Sequence, residues 1–445
     1  MSKHKPFNFK TSEELLLKAR ELSVELPFQE DITPLLEPVS IGSKKVMNRL
    51  AVHPMEGFDS NPDGSPSELT FRRYKRYAEG GNGLIWFEAT SVVREGRSNP
   101  MNLWLNRNNV DNYKRLVEFT RNSAHTRLGS SHDLFLVLQL THAGRYSKPE
   151  GRPLPQAVKF NPYLDKDEKA IKILTDAELE KHSESFIEAA KLAFDAGFDS
   201  VDIKACHGYL INDLLSAYTR EESNYGGEFV NRKRFLVDII REIKLQLKEL
   251  IPAVRLNSTD AIPYPYGFGI EDDGSVTINL DEPRKLIGEL IELGCGLFNI
   301  TAGISYYTPE VGRPFNRQVK EINMPNEHPL EGVTRLIGVA GELQKEFPSV
   351  PMVGTGYSWL NQFFPNVGAA VIANGLVSVI GLGRNAFAYP DAALDLIENG
   401  RLNIKKTCIA CSRCTELMRA GRSTGCVIRD RDIYRTEYNN VFAGG

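Results

Sequence analysis

Four of the six cysteines lie within nineteen residues of one another, in the spacing C-x2-C-x2-C-x11-C. They are Cys408, Cys411, Cys414 and Cys426. Thiols clustered in this way are more typical of a metal site than of disulfides in an intracellular protein. A [4Fe–4S] cluster takes four cysteine ligands, and a structural zinc ion can take four as well. The spacing therefore predicts a metal centre and leaves cluster and zinc open. We expect Cys206 and Cys295, which stand alone, to be packed in the core.

Side chains suited to acid–base chemistry stand directly after one of the short apolar segments of the sequence. Lys204, His207 and Tyr209 lie in the stretch KACHGY. A lysine or a histidine can polarise a carbonyl group, and a tyrosine can donate a proton. The simpler alternatives are that Lys204 neutralises Asp202 or Glu88, and that Tyr209 only packs at the start of a helix.

The elements that must position these residues follow a repeating pattern. In four places a helical stretch ends at a glycine, which can adopt the left-handed conformation of a helix end, and a short apolar strand starts at once. Such units indicate parallel strands. The strands expected are Arg49–His53, Leu84–Phe87, Leu134–Leu140, Phe198–Ile203, Ala253–Asn257, Leu297–Ile300, Pro351–Gly354 and Leu376–Ile380. The helices expected are Ser12–Ser23, Ser67–Ala78, Asn109–Arg127, Asp176–Asp195, Asn231–Glu249, Glu282–Leu293, Gly332–Glu346, Tyr357–Phe364 and Asp391–Asn399.

Eight strands alternating with helices predict an α/β fold, a TIM (β/α)8 barrel, over residues 41–400. An N-terminal arm, 1–40, would precede the barrel, and a cysteine-rich tail, 401–445, would follow it. A doubly wound open sheet is the competing arrangement, and no GxGxxG follows the first strand to support a dinucleotide fold. In a TIM barrel, chemistry takes place at the C-terminal ends of the strands.

Glycine-rich segments follow the last two expected strands. In TIM barrels these two loops often bind phosphate through backbone N–H groups. Ordinary turn glycines are the alternative. The candidate phosphate ligands are Gly354, Gly356, Gly383 and Arg384.

Composition excludes several classes of protein. The 54 basic and 57 acidic side chains give a net charge of −3, so no overall field would attract a nucleic acid. No apolar run is long enough to predict a membrane span. The first residues, MSKHKPFNFK, contain no apolar signal core. We therefore expect a cytoplasmic protein that binds neither nucleic acid nor membrane.

The segment Cys206–Arg234, CHGYLINDLLSAYTREESNYGGEFVNRKR, resembles the signature of the old yellow enzyme family of NADH:flavin oxidoreductases. Shorter matches at residues 88–92, 139–145 and 383–384 support the resemblance, which covers most of 41–400. The tail, CIACSRCTELMRAGRSTGC, is similar to the iron–sulfur segment of the 2,4-dienoyl-CoA reductase and trimethylamine dehydrogenase branch. That branch generally has three residues between its second and third cysteines, and this sequence has two. Its members usually continue into a nucleotide-binding half, which we expect this chain to lack.

The resemblance implies FMN and a [4Fe–4S] cluster held by the four tail cysteines. It places Pro54, Met55 and Ala89 against the isoalloxazine ring and Gln139 at the pyrimidine edge. Arg255 would lie near N1 and C2=O, where negative charge builds up on reduction, although an ion pair inside the barrel mouth is its alternative role. The four candidate phosphate ligands would hold the FMN phosphate. The family tends to have a small polar residue where this sequence has Glu56, so the flavin potential is expected to differ.

The resemblance also implies roles for the catalytic residues. His207 and Tyr209 match the family pattern, and Lys204 replaces its first histidine. Lys204 and His207 would hold the substrate oxygen, and Tyr209 would protonate the substrate. After the sixth strand, Tyr307 aligns better than Tyr306 with a second catalytic histidine of the branch.

These features together predict an FMN-dependent ene-reductase acting on a C=C bond conjugated to a carbonyl or carboxylate, with the cluster feeding electrons to the flavin. The electrons would come from a ferredoxin or flavoprotein partner, or directly from NAD(P)H. One alternative is an amine or alcohol dehydrogenase that passes electrons from FMN to the cluster. Another is a non-catalytic electron-transfer subunit with a Zn(Cys)4 tail.

Overall fold

A computed structural model of the chain describes residues 3–317, 319 and 324–442. Eight parallel strands form a closed barrel, in which each strand pairs with the next along the chain and the last pairs with the first. The predicted TIM barrel is therefore confirmed. The strands are β1 (Leu50–Val52), β2 (Leu84–Ser91), β3 (Phe135–Thr141), β4 (Ser200–Ile203), β5 (Ile251–Asn257), β6 (Leu297–Thr301), β7 (Met352–Gly354) and β8 (Val379–Leu382).

The longer helices surround the barrel and complete the hydrophobic core around it. Asp176–Asp195 shows why such a segment forms a helix: Thr175 caps its first turn, Glu178 completes a capping box, and Gly197 follows with a φ of 91°. The α-helices of eight or more residues are Ser12–Glu21, Glu68–Ala78, Val110–Leu128, Asp176–Asp195, Arg234–Gln246, Asp281–Glu292, Pro329–Glu346, Phe364–Ala373, Ala392–Asn399 and Arg431–Phe442.

Short helices and small strand pairs complete the structure. The short α-helices are Thr33–Leu36, Leu210–Leu215, Phe229–Arg232, Pro309–Gly312, Arg384–Ala388 and Arg413–Arg419. The 3-10 helices are Arg94–Gly96, Gly144–Tyr146, Glu168–Ala170, Tyr357–Phe363 and Ile404–Lys406. Outside the barrel, Val39–Ile41 pairs with Lys44–Val46, and Gln156–Ala157 pairs with Lys172–Ile173. The predicted boundary between arm and barrel falls inside the first of these strands.

Two predicted elements near the end of the barrel are wrong in position. The last strand starts at Val379, not Leu376, because Leu376 packs over Gly341 of the preceding helix instead of entering the sheet. The segment predicted as the helix Tyr357–Phe364 is mostly a 3-10 helix interrupted at Asn361, which has a φ of 53°. The helix that follows begins at Phe364. It has a proline in its first turn, where the missing N–H costs nothing.

The cysteine-rich tail lies against the C-terminal mouth of the barrel. Thr424 donates a backbone hydrogen bond to the carbonyl of Gly57, just after β1, and Asn316 donates one to Ala410. Asp430 accepts bonds from Arg72 and Arg76 of a barrel helix. The tail therefore closes over the end of the barrel where catalytic residues are expected. Among the described helices, none is both long and apolar enough to cross a membrane.

Candidate functional site

A cavity of about 1160 Å³, counted with its open mouth, lies at the C-terminal ends of the barrel strands. Residues from β3, β5 and β8, and from the loops after β1, β4, β6, β7 and β8, meet residues from the tail around it. Most of the predicted site residues line this cavity: Pro54, Met55, Gln139, Lys204, His207, Tyr209, Arg255, Gly356, Gly383 and Arg384. Other residues that line it were not predicted from the sequence, among them His53, Arg313, Thr355, Ser358, Met418 and Arg419.

The cavity wall is strongly basic. Among the described residues, its cationic side chains are Lys204, Arg255, Arg313, Arg384 and Arg419, and its one carboxylate is Glu56. Burial lowers the pKa of Lys204, and the nearby Glu56 opposes that shift. Such a wall favours an anionic ligand over a cationic one, because a buried cation needs a compensating negative charge.

Several buried polar atoms on this wall have no hydrogen-bond partner among the described residues. They are His53 Nε2, Arg255 Nε, Arg313 Nη2, Thr355 Oγ1 and Arg384 Nη1. Leaving a buried polar group unpaired costs about 1–3 kcal/mol. Five such atoms around one cavity therefore fit a polar, anionic ligand such as FMN. Gly356, beside Thr355, has a φ of 99°, a conformation that favours glycine.

Gln139 is oriented by a buried carboxylate. Its Nε2 donates to Asp202 at 2.6 Å, and Asp202 also accepts from Trp86 Nε1 at 2.9 Å and from the backbone N–H of Arg255 at 2.6 Å. Burial raises the pKa of Asp202 to about 6, so the group is mainly a carboxylate at neutral pH and accepts hydrogen bonds. The amide nitrogen of Gln139 must face it, and the amide oxygen is left for the cavity.

Tyr209 is the centre of a polar group at the cavity wall. Its hydroxyl lies 3.4 and 3.5 Å from the carboxylate oxygens of Glu56, and it hydrogen-bonds the Tyr306 hydroxyl. The Lys204 ammonium lies 3.5 Å from the centre of the Tyr209 ring. Burial, with a smaller contribution from Glu56, raises the pKa of Tyr209 well above its ordinary value. The phenol therefore stays protonated, as a proton donor must.

His53 is buried and His207 is half-buried, and both are neutral. Burial is the main cause that lowers the pKa of each well below the ordinary value, and Arg255 adds to it. His207 has a left-handed backbone, with a φ of 65°, and its N–H donates to Asn257 Oδ1 at 3.4 Å. A neutral imidazole can donate one hydrogen bond to a ligand oxygen.

The four tail cysteines line a second cavity, of about 360 Å³. Among the described residues, no three His, Cys, Asp or Glu side chains converge where a single metal ion could bind. Backbone N–H groups point at two of the sulfurs, Ala410 N at 3.4 Å from Cys408 Sγ and Arg429 N at 3.3 Å from Cys426 Sγ. Cys414 and Arg384 line both this cavity and the larger one, so the two cavities are neighbours.

Some predicted residues lie away from the larger cavity. Ala89 does not line it and accepts a hydrogen bond from Asn102 Nδ2 at 2.8 Å. Gly354 does not line it either, and faces the ring of Tyr357. Tyr307 is 40% exposed and packs on Tyr163, whereas Tyr306 lines the cavity. The residue after β6 that faces the site is therefore Tyr306.

Lys204 does not pair with either carboxylate that the sequence offered as its structural partner. Asp202 is bound by Trp86 and Gln139, as described above. Glu88 is bound by Arg73 Nη1 at 2.5 Å and by the backbone N–H of Gly57 at 2.6 Å. Among the described residues no salt bridge to Lys204 forms, and its ammonium is available to the cavity.

A parallel barrel with a basic cavity at its mouth, lined by polar atoms that lack partners among the described residues, is suited to an anionic cofactor or substrate. The sequence model of the NADH:flavin oxidoreductase / NADH oxidase family matches residues 34–267, more than half of the chain. The chain belongs to this family. The predicted family is therefore confirmed.

Sequence relatives include two NADPH dehydrogenases. The one from Bacillus cytotoxicus is 31% identical over 245 residues, which are 54% of this chain and 66% of that protein. The one from Listeria monocytogenes is 35% identical over 228 residues, 51% of this chain and 62% of that protein. The match thus spans a little under two thirds of each relative.

Solved structures share the fold at lower identity. A 2-naphthoyl-CoA reductase in complex with 2-naphthoyl-CoA superposes with a TM-score of 0.71 and 21% identity, over 92% of this chain and 58% of that one. Histamine dehydrogenase from Rhizobium sp. 4-9 superposes with a TM-score of 0.66 and 21% identity, over 91% of this chain and 53% of that one. The old yellow enzyme homologue from Zymomonas mobilis superposes with a TM-score of 0.59 and 21% identity, over 83% of this chain and 94% of that one.

Proposed function

We propose that the chain is an FMN-dependent ene-reductase that reduces a C=C bond conjugated to a carbonyl or carboxylate, with a [4Fe–4S] cluster in the tail supplying electrons to the flavin. The observation that carries this proposal is the pair of neighbouring cavities. One is basic and lies at the barrel mouth, the other is lined by four cysteines, and Cys414 and Arg384 line both. Neighbouring sites allow electrons to pass between two bound cofactors.

The chain's own residues would hold FMN in the larger cavity. The carbonyl of Gln139, fixed by Asp202, suits an N–H of the pyrimidine edge. Arg255 suits the region where negative charge grows on reduction. Arg384 Nη1 and Thr355 Oγ1, both without a partner among the described residues, suit the phosphate. Reduced FMN, when bound, supplies a hydride for the β-carbon of the substrate.

The similarity of the tail segment to the iron–sulfur segment of the resembled branch favours a cluster over a zinc ion. A zinc ion would need its ligand sulfurs to converge at about 2.3 Å from one point. A cluster of four irons is larger and takes one sulfur at each corner. The N–H groups directed at Cys408 and Cys426 would stabilise the thiolate form of these ligands.

Three residues would act on the substrate. Lys204 and neutral His207 would donate hydrogen bonds to the substrate oxygen, on which negative charge grows as the hydride adds. Tyr209 would give its proton to the α-carbon. The Lys204 ammonium, held 3.5 Å from the ring centre, would also stabilise the phenolate that remains.

The basic wall argues against an amine substrate. Of the side chains that the structure describes, a cationic amine would meet five cationic ones and one carboxylate, and the face of Tyr209 that would attract it already carries Lys204. Anaerobic mixing of the oxidised protein with histamine and trimethylamine tests this directly. Bleaching of the flavin by either amine would reverse the proposed direction of electron flow.

The main test uses Tyr209→Phe, with Tyr307→Phe as the matched control, because Tyr307 does not line the cavity. Anaerobically purified protein is first assayed for flavin, iron and sulfide, and then reduced with NADPH, NADH or reduced ferredoxin. Oxidation of the pre-reduced flavin by a panel of enones should be about 100-fold slower or more in Tyr209→Phe, because a positioned acid contributes about 10²–10⁴-fold. Flavin reduction should not change. Equal oxidation rates in both variants would exclude Tyr209 as the donor.

A further inference from the structure

Glu56 forms a hydrogen-bonded group with the proposed proton donor. Its carboxylate oxygens lie 3.4 and 3.5 Å from the Tyr209 hydroxyl, and Ser98 Oγ donates to Glu56 Oε1 at 3.2 Å. Among the described residues that line the cavity, Glu56 is the one carboxylate. It is also a departure from the resembled family, which tends to have a small polar residue here. The proposed roles of Lys204, His207 and Tyr209 leave it without a function.

The burial of Tyr209 creates a need that Glu56 can meet. Each reduction would leave the Tyr209 oxygen without its proton, and that oxygen must regain one before the next turnover. Tyr209 is only 2% exposed. The Lys204 ammonium lies over the ring, where it stabilises charge. Glu56 is half-buried, faces the cavity and touches the hydroxyl itself, so it is better placed to meet both solvent and Tyr209.

We propose that Glu56 returns a proton from solvent to Tyr209 in each turnover. The proposal rests on the proposed function of Tyr209 as the donor. The O–H bond of Tyr209 breaks as a C–H bond forms on the substrate. A proton taken up by Glu56 from buffered water then forms the new O–H bond on Tyr209, and the carboxylate is regenerated. No electrons move in this relay. In the opposite direction of catalysis the same pair would carry the proton outward.

Tyr306 is the competing route. Its hydroxyl hydrogen-bonds Tyr209, and its ring, 39% exposed, stacks on Tyr146 at 4.1 Å between centroids. Burial raises the pKa of Tyr306 to about 12, which makes its proton harder to release at neutral pH than that of a carboxylic acid. Tyr306→Phe therefore tests this competing route, and Tyr307→Phe, at a residue that does not line the cavity, is the control for substitutions of Glu56.

The kinetic test compares first and later turnovers of the FMN-loaded protein with 2-cyclohexen-1-one as the probe. In Glu56→Gln, the first oxidation of pre-reduced flavin should match the wild type, because Tyr209 starts protonated. Sustained turnover with excess reductant should fall about 10-fold or more, since proton relays fall within the range of acid–base catalysis. In Glu56→Ala, added formate should restore sustained turnover in proportion to its concentration. Tyr307→Phe, at a residue that does not line the cavity, should behave like the wild type in both phases.

A spectroscopic readout separates a relay from a merely structural role. In protein carrying carbon-13 at the tyrosine ring carbon that bears the hydroxyl, the Tyr209 signal is identified by its loss in Tyr209→Phe. In Glu56→Gln that signal should titrate at lower pH than in the wild type, because a neighbouring negative charge is removed. The other polar or titratable groups that face Tyr209 remain in place: Ser98, Tyr146, Lys204 and Tyr306.

The outcomes distinguish the relay from the proposed function. If the wild type reduces no enone, or Tyr209→Phe oxidises as fast as the wild type, the proposed function itself is wrong. If Tyr209→Phe is slow while Glu56→Gln turns over like the wild type, only the relay is wrong. Slow turnover of Glu56→Ala that formate does not rescue, with an unmoved Tyr209 titration, would also overturn it. Loss of sustained turnover in Tyr306→Phe, with normal turnover in the Glu56 variants, would also overturn the relay.

Discussion

Replacing Arg384 with lysine should weaken FMN binding while keeping the positive charge. Arg384 is 5% exposed, and its Nη2 donates to the carbonyl of Pro314 at 2.6 Å. Its Nη1 has no partner among the described residues and is the atom proposed for the phosphate. Lysine has one nitrogen and cannot fill both positions. The loss of one charge-assisted hydrogen bond, about 1.5–3 kcal/mol, predicts an FMN dissociation constant about 10- to 150-fold higher.

The assay is anaerobic titration of FMN-free protein, followed by the quenching of flavin fluorescence. Arg107→Lys is the matched control, because Arg107 is 80% exposed and pairs with Glu188 at 2.6 Å on the outside of the barrel. It should bind FMN like the wild type. Iron content is measured in parallel, since Arg384 also lines the cysteine cavity. An unchanged dissociation constant in Arg384→Lys would refute the assignment of this loop to the phosphate.

Two further predictions concern the tail and the barrel interior. Cys414→Ser should lose most of its iron and acid-labile sulfide. Cys295→Ser, at a buried cysteine away from the tail cavity, should keep both. Retained iron in Cys414→Ser would contradict the assignment of this cysteine as a ligand. Burial raises the pKa of Asp202 from 3.8 to about 6, so as pH rises the unfolded chain loses this proton before the folded chain does. The free energy of unfolding should therefore fall between pH 3.8 and pH 6, by at most about 3 kcal/mol. Asp202→Asn should lack this fall in urea unfolding of the FMN-free protein, and an identical pH profile would contradict the shift.

Where local signals agreed, the sequence could predict the fold. Asp176–Asp195 has the predicted bounds because its capping box and its following glycine are both readable in the sequence. The last strand was predicted to start too early because the residues directly after Asn374-Gly375 are apolar. Residues that belong to the strand and residues that only lead up to it look the same in the sequence. Only the packing of Leu376 over Gly341 decides between the two, and that contact joins residues distant in the chain.

The site could be predicted in composition but not in contacts. Most of the predicted ligands do line one cavity, because barrel topology brings all strand ends to the same face. Arg313 was missed because no motif surrounds it, and Met418 was missed because only the cysteines of the tail segment were considered as ligands. Thr355 was passed over although it lies between two predicted ligands. The sequence also does not show which of the two tyrosines after β6 faces the site, so Tyr307 was predicted instead of Tyr306.

Two contacts of Tyr209 distinguish this chain from the family pattern, and one of them joins residues that no motif connects. Glu56 and Tyr209 are separated by 153 residues, and each follows a different barrel strand. The Lys204 ammonium reaches the Tyr209 ring from the same short segment of the chain, but only the closed barrel brings a carboxylate to its hydroxyl. Opposite charges on two sides of one phenol would let Lys204 favour loss of the proton while Glu56 favours its return. Substituting either residue alone should therefore disturb a different half of the same proton cycle.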